Sequence, residues 1–472
     1  MMLRALPALL MLTIFAARFV VTAIAYPSLD GDLAWQRWLG RLTLARHAVP
    51  RALGTESFTA TGAHWTPQEW LFSIVASLAP QGPAWLAFAG GAALCAVAAL
   101  WFVGERALRR GATPFTTTIV VALAGMGLFE SFGVRAQVVA WPCLALFLYV
   151  LEREGRARWL CVAVAAVWSN LHASAMLAPV FGGLFALAAL AEDRAWTARV
   201  RERTLLAAAL AIAICCNPFG WGLPLYALSL FGSPIKHFIS EWKVTDLDDT
   251  SFVTGALPIL IALVAYGVAR TRASWDWLCV IAASFLLLMG ARNIAIYGLI
   301  AGAPLAQRLS ELLAATRFGR PSSPSAQSER LGRIALVALS GGFAAIVAVA
   351  LLRNHEARTA ESLPRAAVAR LAAQPGEHRL LCRDFAWCSL ALDYPRLSVF
   401  LDGRADPFPP AVWNDYAAVA HLEPGWREVL KRYRVDAVLA DSGGTLDQAL
   451  SLTGWRQAFR DDEFHLWLRE GG

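Results

Sequence analysis

A chain of 472 residues that is 57% hydrophobic and only 16% charged is too apolar for a globular protein dissolved in water, whose charged share is nearer a quarter. A bilayer must be its main solvent. The formal net charge of +7 is then accounted for by basic loops retained on the cytoplasmic side of a membrane, and no nucleic-acid partner is expected.

The expected fold is mainly α: a polytopic helical bundle of about eleven spans with a small C-terminal α/β domain outside the cytoplasm. In chain order the apolar runs fall at residues 6–25, 84–104, 114–129, 136–151, 159–171, 174–191, 204–216, 252–269, 275–290, 294–307 and 334–352. Several are shorter than the roughly 20 residues of a straight span, which predicts broken, tilted or mutually shielded helices. Within the first run Ala23-Ile24-Ala25 has the small-x-small pattern of a cleavage site. The run is nevertheless long for a signal peptide and is interrupted by Arg18, so it reads as a retained span. The chain therefore divides into a bundle at 1–313 with an outer loop at 26–83, a Pro/Ser/Arg-rich cytoplasmic linker at 314–333, a last span at 334–352, and an extracytoplasmic domain at 353–472. In that domain helix-like stretches (364–373, 423–433, 445–452) mix with short strand-like runs (379–382, 397–401, 437–440), as in a small α/β sheet.

Orientation follows from alternate loops rich in arginine: Arg106, Arg109 and Arg110; Arg153, Arg156 and Arg158; Arg194, Arg199, Arg201 and Arg203; Arg270 and Arg272; then Arg308 onward. These predict an N-terminus inside, and a C-terminal domain outside, a bacterial cytoplasmic membrane. Six of the eight cysteines lie in or near apolar runs and read as small hydrophobes. Cys382 and Cys388 fall in the outer domain, where either a short-loop disulfide or two thiols suit the sequence.

Ionisable groups are costly at the depth of a span, by about 2.5 to 3.5 kcal/mol each, and here the unusual polar clusters sit in the loops assigned to the outside. Asp32 opens a helix-like stretch in which Trp35, Trp38, Leu39 and Leu42 share a face able to lie in the membrane interface. Asp30 suits an N-cap there, with Asp32 complementing the helix dipole. Arg135 and Arg292 stand at outer ends of spans and could clamp a phosphate, or serve as paired or snorkelling arginines. Lys236 lies in a longer outer loop and could act similarly. Asn170 and His172 fall where one span ends and the next begins, suited to a sugar or phosphate or to orphan helix carbonyls. Glu69 and Glu241 are further outer carboxylates, and Asp402-Gly403-Arg404 reads first as a turn with an internal ion pair. Walker, HExxH, GxSxG, zinc-type CxxC and dinucleotide signatures are missing from the sequence.

An N-terminal span, a large outer loop with an acidic residue near its start, a many-span bundle and an outer soluble domain together resemble the GT-C superfamily of membrane glycosyltransferases. More narrowly, the chain resembles a little-characterised bacterial branch of it. The segments that carry the resemblance are 32–40, His64-Trp65 and Glu69-Trp70-Leu71, Arg135 with Gln137, 168–172, 217–220, Glu241-Trp242, Arg292-Asn293 and Asp402-Gly403-Arg404. The sequence departs from the branch at Gln36 and at Glu56. The resemblance implies sugar transfer from a polyprenyl-phosphate donor, in contact with membrane lipid, to an envelope acceptor on the outer face. Asp32 would be the general base. Arg135 and Arg292 would steady the departing lipid phosphate, with Asn170, His172, Glu69, Glu241 and Lys236 as further substrate contacts. Some GT-C enzymes use a divalent cation, for which Asp32 with Glu69 or Glu241 could supply oxygen ligands; no spacing demands one. The alternative is a transporter or flippase for a lipid-linked or anionic envelope precursor, which calls for ionisable groups at mid-depth and internal repeats.

Overall fold

The computed structural model describes residues 5–25, 31–79, 82–231, 235, 238–239, 274–314, 330, 334, 342 and 363–469. The expected span at 252–269 lies outside the described residues, as do the linker at 314–333 and the last span at 334–352 apart from single positions. In chain order the helices are α1 (Leu6–Ala25), α2 (Gly31–Arg46), α3 (Trp70–Ser77), α4 (Gly82–Arg109), α5 (Pro114–Glu130), α6 (Ala136–Leu151), α7 (Leu160–Trp168), α8 (Leu177–Asp193), α9 (Ala198–Ala213), α10 (Gly222–Phe231), α11 (Ser274–Met289), α12 (Ile294–Ala314), α13 (Arg365–Ala372), α14 (Pro410–Ala420), α15 (Trp426–Arg432) and α16 (Thr445–Ser451). The strands are β1 (His378–Cys382), β2 (Leu397–Val399), β3 (Ala437–Asp441), β4 (Trp455–Arg460) and β5 (Phe464–Arg469). The protein is thus mostly helical with one small C-terminal sheet, and it divides into two compact units.

The first unit comprises Met1–Ala25, Trp85–Leu228 and Ser240–Glu356. Three described helical segments, Leu6–Ala23, Ala87–Arg109 and Ala173–Asp193, are long and apolar enough to cross a membrane. The apolar helices α5, α6 and α11 are shorter. Among lipids apolar side chains gain nothing by leaving their solvent, so helices associate by close packing of small residues. Accordingly Gly298 of α12 lies where an added Cβ would come within 3.0 Å of the Ala124 backbone of α5, and one at Gly127 would meet the Ile294 side chain at 2.8 Å. The run expected as one span at 159–171 is instead a 3-10 turn, the nine-residue α7 and a break at 169–172 before a second 3-10 turn leads into α8.

The basic ends of these helices are tied rather than free. Arg106 donates to Glu152 at 2.6 Å and to the Ile300 carbonyl at 2.8 Å, while Arg110 bonds Glu152 at 3.0 Å, Gln307 at 3.1 Å and also Asp276. Trp275 Nε1 adds a 2.7 Å bond to the same Glu152 carboxylate. With two cations and two anions, the cluster joins α4, α11, α12 and the residue that caps α6, and it satisfies groups that would be expensive if left bare.

The second unit comprises Tyr26–Ala84, Ser229–Ile239 and Ala357–Gly472, so the segment after α1 folds with the C-terminal domain. Its five-stranded sheet has the order β2-β1-β3-β5-β4. Strands β1, β2 and β3 are parallel, whereas β5 runs antiparallel to β3 and β4. At the β2 edge Val399 donates to the Glu56 carbonyl at 2.8 Å, and Ser57 forms a bridge with Val399, so the segment after α1 covers that edge. The aromatic face of α2 is not left to the membrane interface: Trp35, Leu39 and Trp65 are buried in one apolar cluster with Leu380, Val399 and Phe400 of the sheet region. Gly40 makes the packing of α2 on α3 feasible, because an added Cβ would collide with the Ser73 carbonyl. Cys382 and Cys388 form a disulfide with their Cα atoms 5.7 Å apart.

Candidate functional site

In the first unit the break after α7 is built by polar side chains that replace missing helical bonds. Asn170 Nδ2 donates to the carbonyls of Ala166 and Cys216, both at 2.8 Å. It is therefore engaged with orphan backbone acceptors, as a helix end requires. His172 caps the following turn: its Nδ1 accepts from the Ser174 amide at 3.1 Å and contacts Ser174 Oγ at 2.8 Å, while that hydroxyl receives Trp168 Nε1 at 3.1 Å. Arg135 N-caps α6, and Arg292 lies in the 3-10 turn Ala291–Asn293 ahead of α12. Ser131 Oγ, which precedes Arg135 by one short turn, donates to the Arg292 carbonyl at 3.4 Å.

Arg135 and Arg292 lie near enough to His172 for their charges to act on its ring. Desolvation of the His172 ring, then the fields of Arg292 and Arg135, push its pKa from 6.5 down to about 3, so the imidazole is neutral at physiological pH. Two guanidiniums and a neutral imidazole then form a cationic cluster suited to an anionic oxygen group.

In the second unit Asp32 is half-buried in the first turn of α2 and accepts from Trp35 Nε1 at 3.2 Å. A Cβ on Gly403 would lie 3.2 Å from Asp32 Oδ1, 3.0 Å from Trp35 and 2.9 Å from Ser389 Oγ, so only glycine lets the 402–404 turn approach Asp32 this closely. Another carboxylate, Asp384, stands nearby in the disulfide-closed loop and accepts from the Ala386 amide at 2.9 Å. Desolvation of the carboxyl, then the charges of Asp441 and Asp32, raise it above the ordinary range against that hydrogen bond. Asp384 escaped notice in the sequence, where only its place between two cysteines marks it.

Glu69 accepts from Gln36 Nε2 at 2.8 Å and from Gln68 Nε2 at 2.9 Å, which joins α2 to the start of α3. Asp402 and Arg404 are 0% and 2% exposed. Arg404 donates to Asp402 through Nε at 2.9 Å and Nη2 at 2.7 Å, to Glu56 at 2.9 Å and to Ser57 Oγ at 2.6 Å. Its guanidinium carbon lies 5.1 Å from the ring centroids of both Trp38 and Trp65. Burial opposes the Glu56 charge, but the Arg404 contact outweighs it and holds the carboxyl below its ordinary range. This motif is a clasp inside the unit, out of reach of any ligand. Asp30, Lys236 and Glu241 lie outside the described residues. Among the described residues no group of three or more His, Cys, Asp or Glu is placed to hold a metal ion.

No protein-family model matches the chain, and no curated protein matches it by sequence. Solved structures do match it in fold. The Archaeoglobus fulgidus oligosaccharyltransferase AglB, in complex with an inhibitory peptide and a dolichol-phosphate, is similar over 94% of this chain and 72% of its own, with 12% identity and a TM-score of 0.54. The apo form of the Archaeoglobus fulgidus oligosaccharyltransferase is similar over 92% of this chain and 69% of its own, also at 12% identity, with a TM-score of 0.52. The likeness is one of fold.

Proposed function

We propose that the protein is a membrane glycosyltransferase that moves a sugar from a polyprenyl-phosphate donor to an acceptor on the outer face of a bacterial cytoplasmic membrane. The single observation that carries this reading is the cationic cluster of Arg135, His172 and Arg292, set in a protein whose fold matches a dolichol-phosphate-bound oligosaccharyltransferase. In this reading Arg135 and Arg292 hold the lipid phosphate as it leaves and gathers charge, and neutral His172 donates a hydrogen bond without adding a third positive charge. Asp32 removes the proton of the acceptor hydroxyl as that oxygen attacks the anomeric carbon. In the sequence Asp32 stands seven residues beyond the end of α1. The remaining apolar runs complete about eleven spans, with the arginine-rich loops inside and the sheet domain outside.

The test is release of polyprenyl phosphate by the full chain in lipid nanodiscs, offered a panel of polyprenyl-phosphate sugars and hydroxyl acceptors. Acceptor-dependent release with a glycosylated product supports transfer. Movement of the intact donor between leaflets without release would replace this reading with a flippase.

A further inference from the structure

Strand β3 ends at Asp441, and the chain turns through Ser442, Gly443 and Gly444 into α16. β5 runs beside it with His465 opposite Ala440, and the Ser442 amide donates to the Glu463 carbonyl at 2.9 Å, which fixes the turn against the start of β5. His465 Nδ1 lies 2.8 and 2.9 Å from the two oxygens of Asp447, which is buried in α16. The same carboxylate accepts from Trp467 Nε1 at 2.7 Å and from the Gly443 amide at 3.0 Å. An acceptor so placed keeps the imidazole proton on Nδ1 and leaves the Nε2 lone pair for Ser442 Oγ, 3.3 Å away. Hydroxyl, base and orienting carboxylate thus stand in the relation that activates a serine, in the chain order Ser, Asp, His, at the carboxyl end of a strand.

We propose that Ser442, His465 and Asp447 form a serine acyl-transfer centre acting on carboxylic esters at the surface of the C-terminal domain. Ser442 Oγ attacks the acyl carbon while its proton passes to His465 Nε2. The ester C–O bond breaks, and the alcohol leaves with that proton. Water then attacks the acyl-serine, giving one proton to His465, which returns it to Ser442 as the carboxylic acid departs. Approach is open, since an atom added at Gly443 (φ +71) would meet nothing within 4 Å and both Gly443 and Thr445 are exposed. The Gly443 and Gly444 amides are already taken, by Asp447 and by the Asp441 carbonyl, so the developing oxyanion is left to solvent and turnover is slow. A clamp between α16 and β5 needs only Asp447 with Gly443 and Trp467; it does not need an imidazole whose second nitrogen faces a hydroxyl beside two glycines.

The experiment exposes the full chain in nanodiscs to a fluorophosphonate probe, which reacts with activated serines, and maps the adduct by mass spectrometry in wild type, Ser442→Ala and His465→Gln. A single adduct on Ser442 is expected, absent in Ser442→Ala and formed at least about tenfold more slowly in His465→Gln. Unfolding midpoints measured alongside establish that His465→Gln is folded; Ser442→Ala removes one oxygen and serves as the control if it is not. No adduct at Ser442, or equal labelling of a folded His465→Gln, would overturn the proposal and leave the trio as a clamp.

Discussion

Replacing Arg404 with methionine removes the cation but keeps much of the side-chain volume between Trp38 and Trp65. What remains is Asp402, 0% exposed, and a half-buried Glu56, both deprived of the partner that offsets their burial. Removing one member of a buried ion pair costs about 3 to 5 kcal/mol, because the other is left uncompensated. Here the loss sits between the segment after α1 and the 402–404 turn, which no covalent link other than the main chain joins among the described residues. For a unit of this size each kcal/mol moves the unfolding midpoint by about 2 to 4 °C, so the expected fall is about 10 °C. Differential scanning fluorimetry in nanodiscs, read beside protease cleavage within residues 50–60, measures both the shift and where the unit opens. Arg404→Lys keeps the charge but loses the planar fork that reaches Asp402, Glu56 and Ser57 together, so it should fall between wild type and methionine. Midpoints of both variants within 2 °C of wild type would refute the reasoning, since a buried clasp cannot be removed without cost.

Other expectations follow from the same contacts. Cys382→Ser with Cys388→Ser, or reduction of the wild type, releases a loop whose closure contributes about 2 kcal/mol by chain entropy, so thermal scans with and without reductant should differ for wild type and coincide for the double variant. Glu56 has a folded-state pKa below its ordinary 4.5, so the stability it supplies is present above about pH 4.5 and is lost as pH falls through the lower, folded value; the gap in midpoint between wild type and Glu56→Gln should therefore shrink in acid. Arg135→Gln and Arg292→Gln should each slow sugar transfer by about tenfold to a hundredfold, and leave the unfolding midpoint within a few degrees, as expected for lost charge-assisted bonds to a phosphate. Unchanged transfer in both variants would remove the lipid phosphate from this cluster.

Much of the membrane fold was legible in the sequence because hydropathy is a local property: α1, α4 and α8 fall where apolar runs are long, and the break after Trp168 falls where Ser169, Asn170 and His172 interrupt one. The disulfide was legible as one of two options. The aromatic face of α2 was not, because Trp35 and Leu39 have the spacing of an interfacial helix, and only the sheet folded against them makes that face a core. Nor could spacing reveal that Arg106 and Arg110, read as markers of a cytoplasmic loop, are held by Glu152 and Asp276, which come from later helices. The ion pair within Asp402-Gly403-Arg404 was expected, but its link to Glu56 spans most of the chain and needs the fold. The approach of Arg135 and Arg292 to His172, and of Asp32 to Asp384, likewise depends on helix ends and turns that meet only in three dimensions.

The most direct test of the central claim is the rate of acceptor-dependent polyprenyl-phosphate release by wild type, Asp32→Asn and Asp32→Glu, each matched for folding and for donor binding. Asp32→Asn keeps the hydrogen bond from Trp35 but cannot take a proton, so release should drop by at least about a hundredfold while donor binding persists, and Asp32→Glu should retain part of the activity. Release from Asp32→Asn at the wild-type rate would contradict the account and assign the base to another group.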